Sequence, residues 1–159
     1  MTRAESLSAQ IARCSAELSA LAGALGSSDT AAASDEWTPR EILLHLVGAV
    51  RELPDQIKAT IAGAQELPPR EQKGGAYIDD GGTSTAAQAL DVLLGRLHAV
   101  DVCISGLSDD ELGLPVRTPV DGVERDVPIG LIVRHMVSDH IDEHILQLRD
   151  ALSAGEPRR

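Results

Sequence analysis

The sequence predicts an all-α fold in which four amphipathic helices form a bundle. Apolar residues recur at spacings of three and four along four separate stretches, which is the period of a helix with one buried face. The chain has no Phe, one Trp and one Tyr, so aliphatic side chains must fill the core. A core of Leu, Ile, Val and Ala suits closely packed helices. At 159 residues the chain is expected to form a single domain over residues 1–159.

The first helix is predicted from about Ala4 to Leu25, where Gly26-Ser27-Ser28 ends it. The second is predicted to open at Thr38, a plausible N-cap, with Pro39 in the first helical position and Glu41 completing a capping box. Its apolar face extends to about residue 64, and a proline at position 54 predicts a kink or break inside it. The first helix presents the stripe Leu7, Ile11, Cys14, Leu18, Leu21 and Leu25.

The third helix follows a polar, Gly-rich loop predicted over residues 70–82. Ser84 or Thr85 is its expected N-cap. Its stripe consists of Leu90, Leu93, Leu97, Val100, Ile104 and Leu107.

The chain is predicted to be irregular between Ser108 and Asp126, where Asp121-Gly122 indicates a tight hairpin turn. The last helix is predicted from about Pro128 to Ser153. Long connections on both sides of the third helix leave room for crossovers, so strict up-and-down topology is not implied.

The charge and the cysteines restrict the function classes. A formal net charge of −11 disfavours binding to phosphate backbones and to anionic membranes, so no nucleic-acid or membrane partner is expected. No stretch approaches the roughly 20 apolar residues that cross a bilayer. Cys14 and Cys103 fall on or beside apolar stripes and are interpreted as buried, reduced thiols. These features predict a cytoplasmic protein.

Two histidines of the last helix are predicted to lie on its buried face. At about 100° per residue, His140 and His144 align within about 40° with Val133, Val137 and Leu148. By the same wheel, His135 and, on the third helix, His98 face solvent.

His45 lies at the edge of the buried face of the second helix, between Ile42 and Leu46. A buried imidazole must satisfy both ring nitrogens, and a backbone carbonyl or water can do this for a lone histidine. Three inward-facing histidines on two helices also match a catalytic zinc site, in which three neutral nitrogens leave a fourth position open. Spacing alone leaves both interpretations open.

Two segments resemble the signature helices of the DinB/YfiT-like superfamily, which includes mycothiol-dependent maleylpyruvate isomerase and the bacillithiol S-transferases. The segment EWTPREILLHLVGAV (Glu36–Val50) contains the Trp-Thr pair and the later His-Leu pair of that family. The segment LIVRHMVSDHIDEHILQLR (Leu131–Arg149) contains His-x-x-x-His, an apolar residue, a spacer and Gln.

The resemblance implies a DinB/YfiT-like four-helix bundle with crossover connections that holds one divalent metal ion, with zinc as the first expectation and nickel as an alternative. By position, His45, His140 and His144 would be the ligands. It further implies a thiol-dependent S-transferase or isomerase that acts on a small electrophile and forms a homodimer. A low-molecular-weight thiol would be the cosubstrate, and a mycothiol-dependent reaction is one form that the resemblance implies.

Two other functions stay open on the sequence: a metal-dependent hydrolase, and a non-enzymatic metal-binding protein of a stress response. A structural metal site is normally closed by four protein ligands, and only three candidates are present. Gln147 lies near the ligand face and is a candidate to hold a ligand ring, or else a surface residue. Trp37 is interpreted as packing the start of the second helix, with stacking on a substrate as the alternative role. Tyr77 is interpreted as a loop residue that covers the site or is simply exposed. No catalytic or substrate-binding residue is assigned.

Overall fold

The computed structural model describes residues 1–26, 37–66 and 85–154. Within these ranges the chain is largely helical and contains one two-stranded sheet, which confirms the prediction of a largely α-helical fold. The predicted loop with Tyr77 and the residues beyond position 154 lie outside the described residues. None of the described helices is long and apolar enough to cross a membrane.

The first predicted helix is divided in two. Helix α1 spans Arg3–Ala20 and begins with a capping box between Thr2 and Glu5. Helix α2 spans Ala22–Leu25. The prediction of one continuous helix is wrong at Leu21, whose N–H bonds to the carbonyl three residues back, at Leu18, and so tightens the turn. The predicted stripe is otherwise buried, and Leu21 packs against the core from its edge.

The second predicted helix begins at the predicted capping box and breaks where a break was expected. Helix α3 spans Pro39–Arg51, and the Thr38 hydroxyl accepts from the Glu41 N–H while the Glu41 carboxylate accepts from the Thr38 N–H. Helix α4 spans Leu53–Ile61 and carries Pro54 in its first turn. Proline lacks an N–H and its ring clashes with the carbonyl four residues back, so the helix restarts there instead of continuing.

Helix α5 spans Ala86–Ile104 and is the longest uninterrupted helix of the described chain. Of the two expected N-caps, Thr85 makes the capping box, with Gln88 as its partner. The predicted stripe is buried from Leu90 to Ile104, and Leu107 packs against the core beyond the helix end.

A short helix and a hairpin occupy the segment predicted to be irregular. Helix α6 spans Asp109–Leu112, and the hairpin pairs strands β1 (Pro115–Val120) and β2 (Val123–Pro128) in antiparallel register. Asp121 and Gly122 form the predicted two-residue turn, with φ values of 52° and 76°. Positive φ at both positions is the geometry that suits the twist of a tight hairpin and favours Asp-Gly.

The last predicted helix is not a continuous α-helix. Helix α7 spans Ile129–Arg134, a π-helical turn spans His135–Asp139, and helix α8 spans His140–Ala154. A π turn takes one residue more than an α turn, so every later side chain is rotated by about 100° from its predicted direction. The buried positions of these three elements are Ile129, Val133, Met136, Val137, Ser138, Ile141, Ile145 and Leu148.

The long helices enclose one aliphatic core. Helix α5 packs against α1 on one side and α3 on the other, while the π turn and α8 pack against α1 and α3. Helix α4 contacts both α5 and α7. The chain therefore brings the middle of α3 against the beginning of α8, which is the contact that forms the candidate site.

Candidate metal centre

His45 reaches the site from the second turn of α3. The capping box at Thr38 fixes where this helix begins, and the apolar residues around His45 fix its rotation. Ile42 and Leu46 are fully buried, whereas the His45 ring is only half-buried. The imidazole therefore lies at the edge of the buried face, as predicted.

His140 and His144 occupy the first two turns of α8, directly after the π turn. The prediction that they lie on the buried stripe is wrong, because both rings are half-buried. The adjacent residues Ile141 and Ile145 take the core positions instead. The rotation introduced by the π turn leaves the histidine pair beside the core and partly exposed to solvent.

The structure brings the three predicted histidines together. One ring nitrogen from each of His45, His140 and His144 lies within 4.8 Å of those of the other two. The closest pair is His45 Nε2 and His140 Nε2, at 2.9 Å. The ring centroids are separated by 5.0 Å for His45 and His140, 4.8 Å for His45 and His144, and 4.7 Å for the pair on α8.

This donor set fits a divalent transition metal ion. A tetrahedral ion with Zn–N bonds of about 2.0–2.1 Å holds its nitrogens about 3.3 Å apart. His45 and His140 would have to separate by only a few tenths of an ångström, and His144 would have to move inward. Imidazole nitrogens suit zinc, nickel, copper and iron alike. Within the described residues no carboxylate or thiolate joins the cluster as a fourth ligand.

Gln147 orients one of the candidate ligands. Its Oε1 atom lies 2.7 Å from Nδ1 of His144, and an amide oxygen can only accept. The Nδ1 atom must therefore carry the proton, which leaves Nε2 of His144 with its lone pair. A hydrogen bond of this type fixes the tautomer of a metal-binding histidine and makes it more basic.

Trp37 forms a wall of the site, a role that its interpretation as a helix-packing residue did not include. Its ring centroid lies 4.9 Å from that of His45 and 6.1 Å from that of His144, with the His144 plane inclined by only 12°. The residue precedes the N-cap Thr38, so the start of α3 places it over the first turns of α8. A tryptophan directly before a helix that carries a candidate ligand is the signal that sequence reasoning could have used.

An ion-pair cluster joins α8 to α1 on the side away from α3. Arg13 donates to both carboxylate oxygens of Asp142, at 2.9 and 2.8 Å, and to Glu17 at 2.9 Å. Arg149 donates to Glu17 at 3.1 Å. Asp142 lies between the two histidines in sequence, so this bidentate contact restrains the rotation of the turn that carries them.

The other histidines and both cysteines lie outside the cluster. His98 is exposed and the His135 side chain is 67% exposed, as predicted. Cys14 is buried, but Cys103 is only partly buried, so the prediction of burial is wrong for the second thiol. Burial raises the pKa of the Cys14 thiol to about 11, which disfavours a reactive thiolate.

The arrangement can bind a cation through three neutral donors and leave further coordination positions to small molecules. Three neutral ligands also leave the charge of a divalent ion uncompensated, which strengthens its attraction for an anionic fourth ligand. A search of protein-family models, of curated proteins and of solved structures gave no match to this chain.

Proposed function

We propose that this chain is a DinB/YfiT-like four-helix-bundle protein that binds one divalent metal ion, zinc or nickel, through His45, His140 and His144. We further propose that it is a thiol-dependent S-transferase or isomerase acting on a small electrophile. One observation carries the proposal: three half-buried imidazoles from two helices present ring nitrogens within 4.8 Å of one another, with no fourth ligand among the described residues. The segments that resemble the superfamily contain these same three histidines.

The bound ion would supply Lewis acidity that favours the thiolate form of a small thiol near neutral pH. The thiol has to be a cosubstrate, because Cys14 is buried with a raised pKa and neither cysteine belongs to the histidine cluster. Gln147 keeps the proton of His144 on Nδ1, away from the site. Trp37 covers one side of the cluster, so cosubstrate and electrophile would enter from the remaining side.

The three histidines are half-exposed. This exposure favours a metal site that small molecules can reach and disfavours a structural site that only joins two helices. A metal that serves stability alone is normally enclosed by four protein ligands. The remaining alternative is hydrolysis with water as the nucleophile, which the same three-histidine arrangement supports in other enzymes. The proposal of a cytoplasmic homodimer with a small-molecule substrate rests on the family resemblance.

Metal binding is tested by calorimetry and thermal unfolding of the wild type, His45→Ala and His98→Ala. All three proteins are first stripped with a chelator and then titrated with zinc or nickel. Wild type and His98→Ala should bind one ion per chain and gain about 2.7 kcal/mol of unfolding free energy at a free metal concentration 100 times the Kd. His45→Ala should lose most of this gain. Equal responses in His45→Ala and wild type would exclude His45 as a ligand.

The reaction class is tested with the metal-loaded protein. Low-molecular-weight thiols are combined with electrophiles, and product formation is compared with and without chelator. Turnover that needs both metal and thiol supports the transferase or isomerase. Metal-dependent turnover without thiol would establish the hydrolase instead, and metal binding without turnover of either kind would favour the binding protein.

A further inference from the structure

A second pocket lies between the beginning of α1 and helix α7, and it shares no residue with the histidine cluster. Its volume is about 320 Å³, at the lower end of the range of small-molecule sites. The lining residues come from α1, α6, the end of β2 and α7. Four elements therefore contribute to its walls.

The charge of the pocket is opposite to that of the whole chain. Arg3 and Arg134 line it and no acidic residue does, although the chain carries a formal net charge of −11. Asp109 lies beside the pocket, and its carboxylate accepts from the Arg3 backbone N–H at 2.8 Å. Among the described residues the guanidinium of Arg3 donates to the Asp109 backbone carbonyl, at 3.4 Å, and forms no ion pair. The pocket therefore carries a local positive charge, which would attract an anion.

The rest of the lining is mainly apolar, and its polar residues are Ser6 and Gln10. Leu7 and Leu112 form the buried part of the wall, and Leu131 is 53% exposed at the pocket. Gln10 also lines the pocket, and its Oε1 atom is shielded from solvent without a hydrogen-bond partner among the described residues. A buried acceptor without a hydrogen bond destabilises the protein unless a donor reaches it. A rotation of the Gln10 side chain toward the pocket would let a ligand N–H or O–H supply that donor.

We propose that this pocket binds a small carboxylate that has an apolar side chain and an N–H or O–H donor. The carboxylate lies between Arg3 and Arg134, where guanidinium groups form charge-assisted hydrogen bonds. The apolar side chain packs against the leucines, and the donor bonds to the Gln10 oxygen. This binding does not depend on the histidine cluster or on a metal.

The test uses N-acetyl-leucine as the probe, since it combines a carboxylate, a branched apolar side chain and an amide N–H. N-acetyl-leucinamide is the matched neutral probe. The full chain is titrated with each compound in the presence of a metal chelator, so that no ion can bind the carboxylate. Two-dimensional amide NMR spectra report both the dissociation constant and the location. The variants are Arg134→Gln, Gln10→Met and, as the control for loss of an arginine, Arg125→Gln in the exposed hairpin.

N-acetyl-leucine should shift amide signals at the beginning of α1 and in α7, and it should bind about tenfold more tightly than the neutral amide. Arg134→Gln should weaken binding about tenfold, and Gln10→Met about threefold, the usual effect of one neutral hydrogen bond. Arg125→Gln should bind like the wild type. Equal affinity for the two probes, equal effects of the two arginine variants, shifts confined to other elements or the absence of binding would each overturn the proposal.

Discussion

Helix α5 and the last helical segment, from α7 through α8, followed the same apolar pattern in the sequence but folded differently. In α5 the predicted stripe from Leu90 to Ile104 is the buried stripe. In the last segment the predicted stripe holds at Val137 and again at Leu148, but between them Ile141 and Ile145 replace His140 and His144 in the core. A helical wheel is valid only while every turn has the same number of residues.

The π turn at His135–Asp139 accounts for the difference. It adds one residue to the helix and so rotates α8 by about 100° relative to α7. Two consequences follow from that rotation. The core gains two isoleucines in place of two imidazoles, which avoids burying polar rings in an aliphatic environment. The imidazoles move to the edge of the core, where they meet His45 and remain accessible.

The largest expected effect comes from removing the extra residue. Deleting the exposed residue Asp139 should convert the π turn to an α turn and rotate α8 back by about 100°. Either the valines of α7 and the π turn or the isoleucines of α8 would then leave the core, at a cost of about 2–5 kcal/mol for each large side chain. The melting temperature should fall by more than about 10 °C, and metal binding should be lost.

Asp139→Ala is the matched control, since it changes the same side chain and keeps the residue count. It should unfold within a few degrees of the wild type and bind metal equally well. A deletion variant as stable as this control, with unchanged metal affinity, would show that the π turn does not determine the direction of the histidines.

A smaller effect on stability tests which stripe of the last helix is buried, the predicted one or the observed one. In chelator-treated protein, Ile141→Ala should lower the unfolding free energy by about 2–5 kcal/mol, as should the equally buried Ile104→Ala in α5. His140→Ala should cost about 1 kcal/mol or less, because its ring is half-buried. Urea unfolding of the three variants measures the costs. A larger loss of stability in His140→Ala than in Ile141→Ala would show that the stripe predicted by the helical wheel is the buried one.

The smallest effect concerns the hydrogen bond between Gln147 and His144. Gln147→Ala removes the acceptor that holds the His144 proton on Nδ1 and should weaken metal binding about tenfold, with little change in the stability of the chelator-treated protein. Leu146→Ala, a neutral change at an exposed neighbouring position, is the control. Chelator competition gives both affinities. Equal affinities in the two variants would leave Gln147 without a role in metal binding.

Local signals in the sequence were sufficient for much of the fold. The capping box at Thr38 and Glu41 located the start of α3, and Asp121-Gly122 located the hairpin turn. A cap or a tight turn depends on residues within four positions of one another, so its physical cause is present in the local sequence. The break near Pro54 belongs to the same class, since proline acts on its own helix.

The candidate site could be predicted only in part from such local signals. The sequence by itself determined which histidines share a helix face, because a spacing of four residues aligns side chains in any α-helix. It also determined that His45 lies at the edge of an apolar face. It could not determine that Trp37 contacts two of the histidines, since that contact joins the start of α3 to the first turns of α8.

Only the tertiary structure decided where the last helix would change from an α-helical to a π-helical turn. The choice between burying His140 and His144 or Ile141 and Ile145 depends on the surfaces of α1 and α3, which pack against the π turn and α8 from two sides. Burying the isoleucines stabilises the core by about 1.5–3 kcal/mol for each side chain. One π turn costs little free energy in comparison. The free energy of packing therefore determines the direction of the histidine pair.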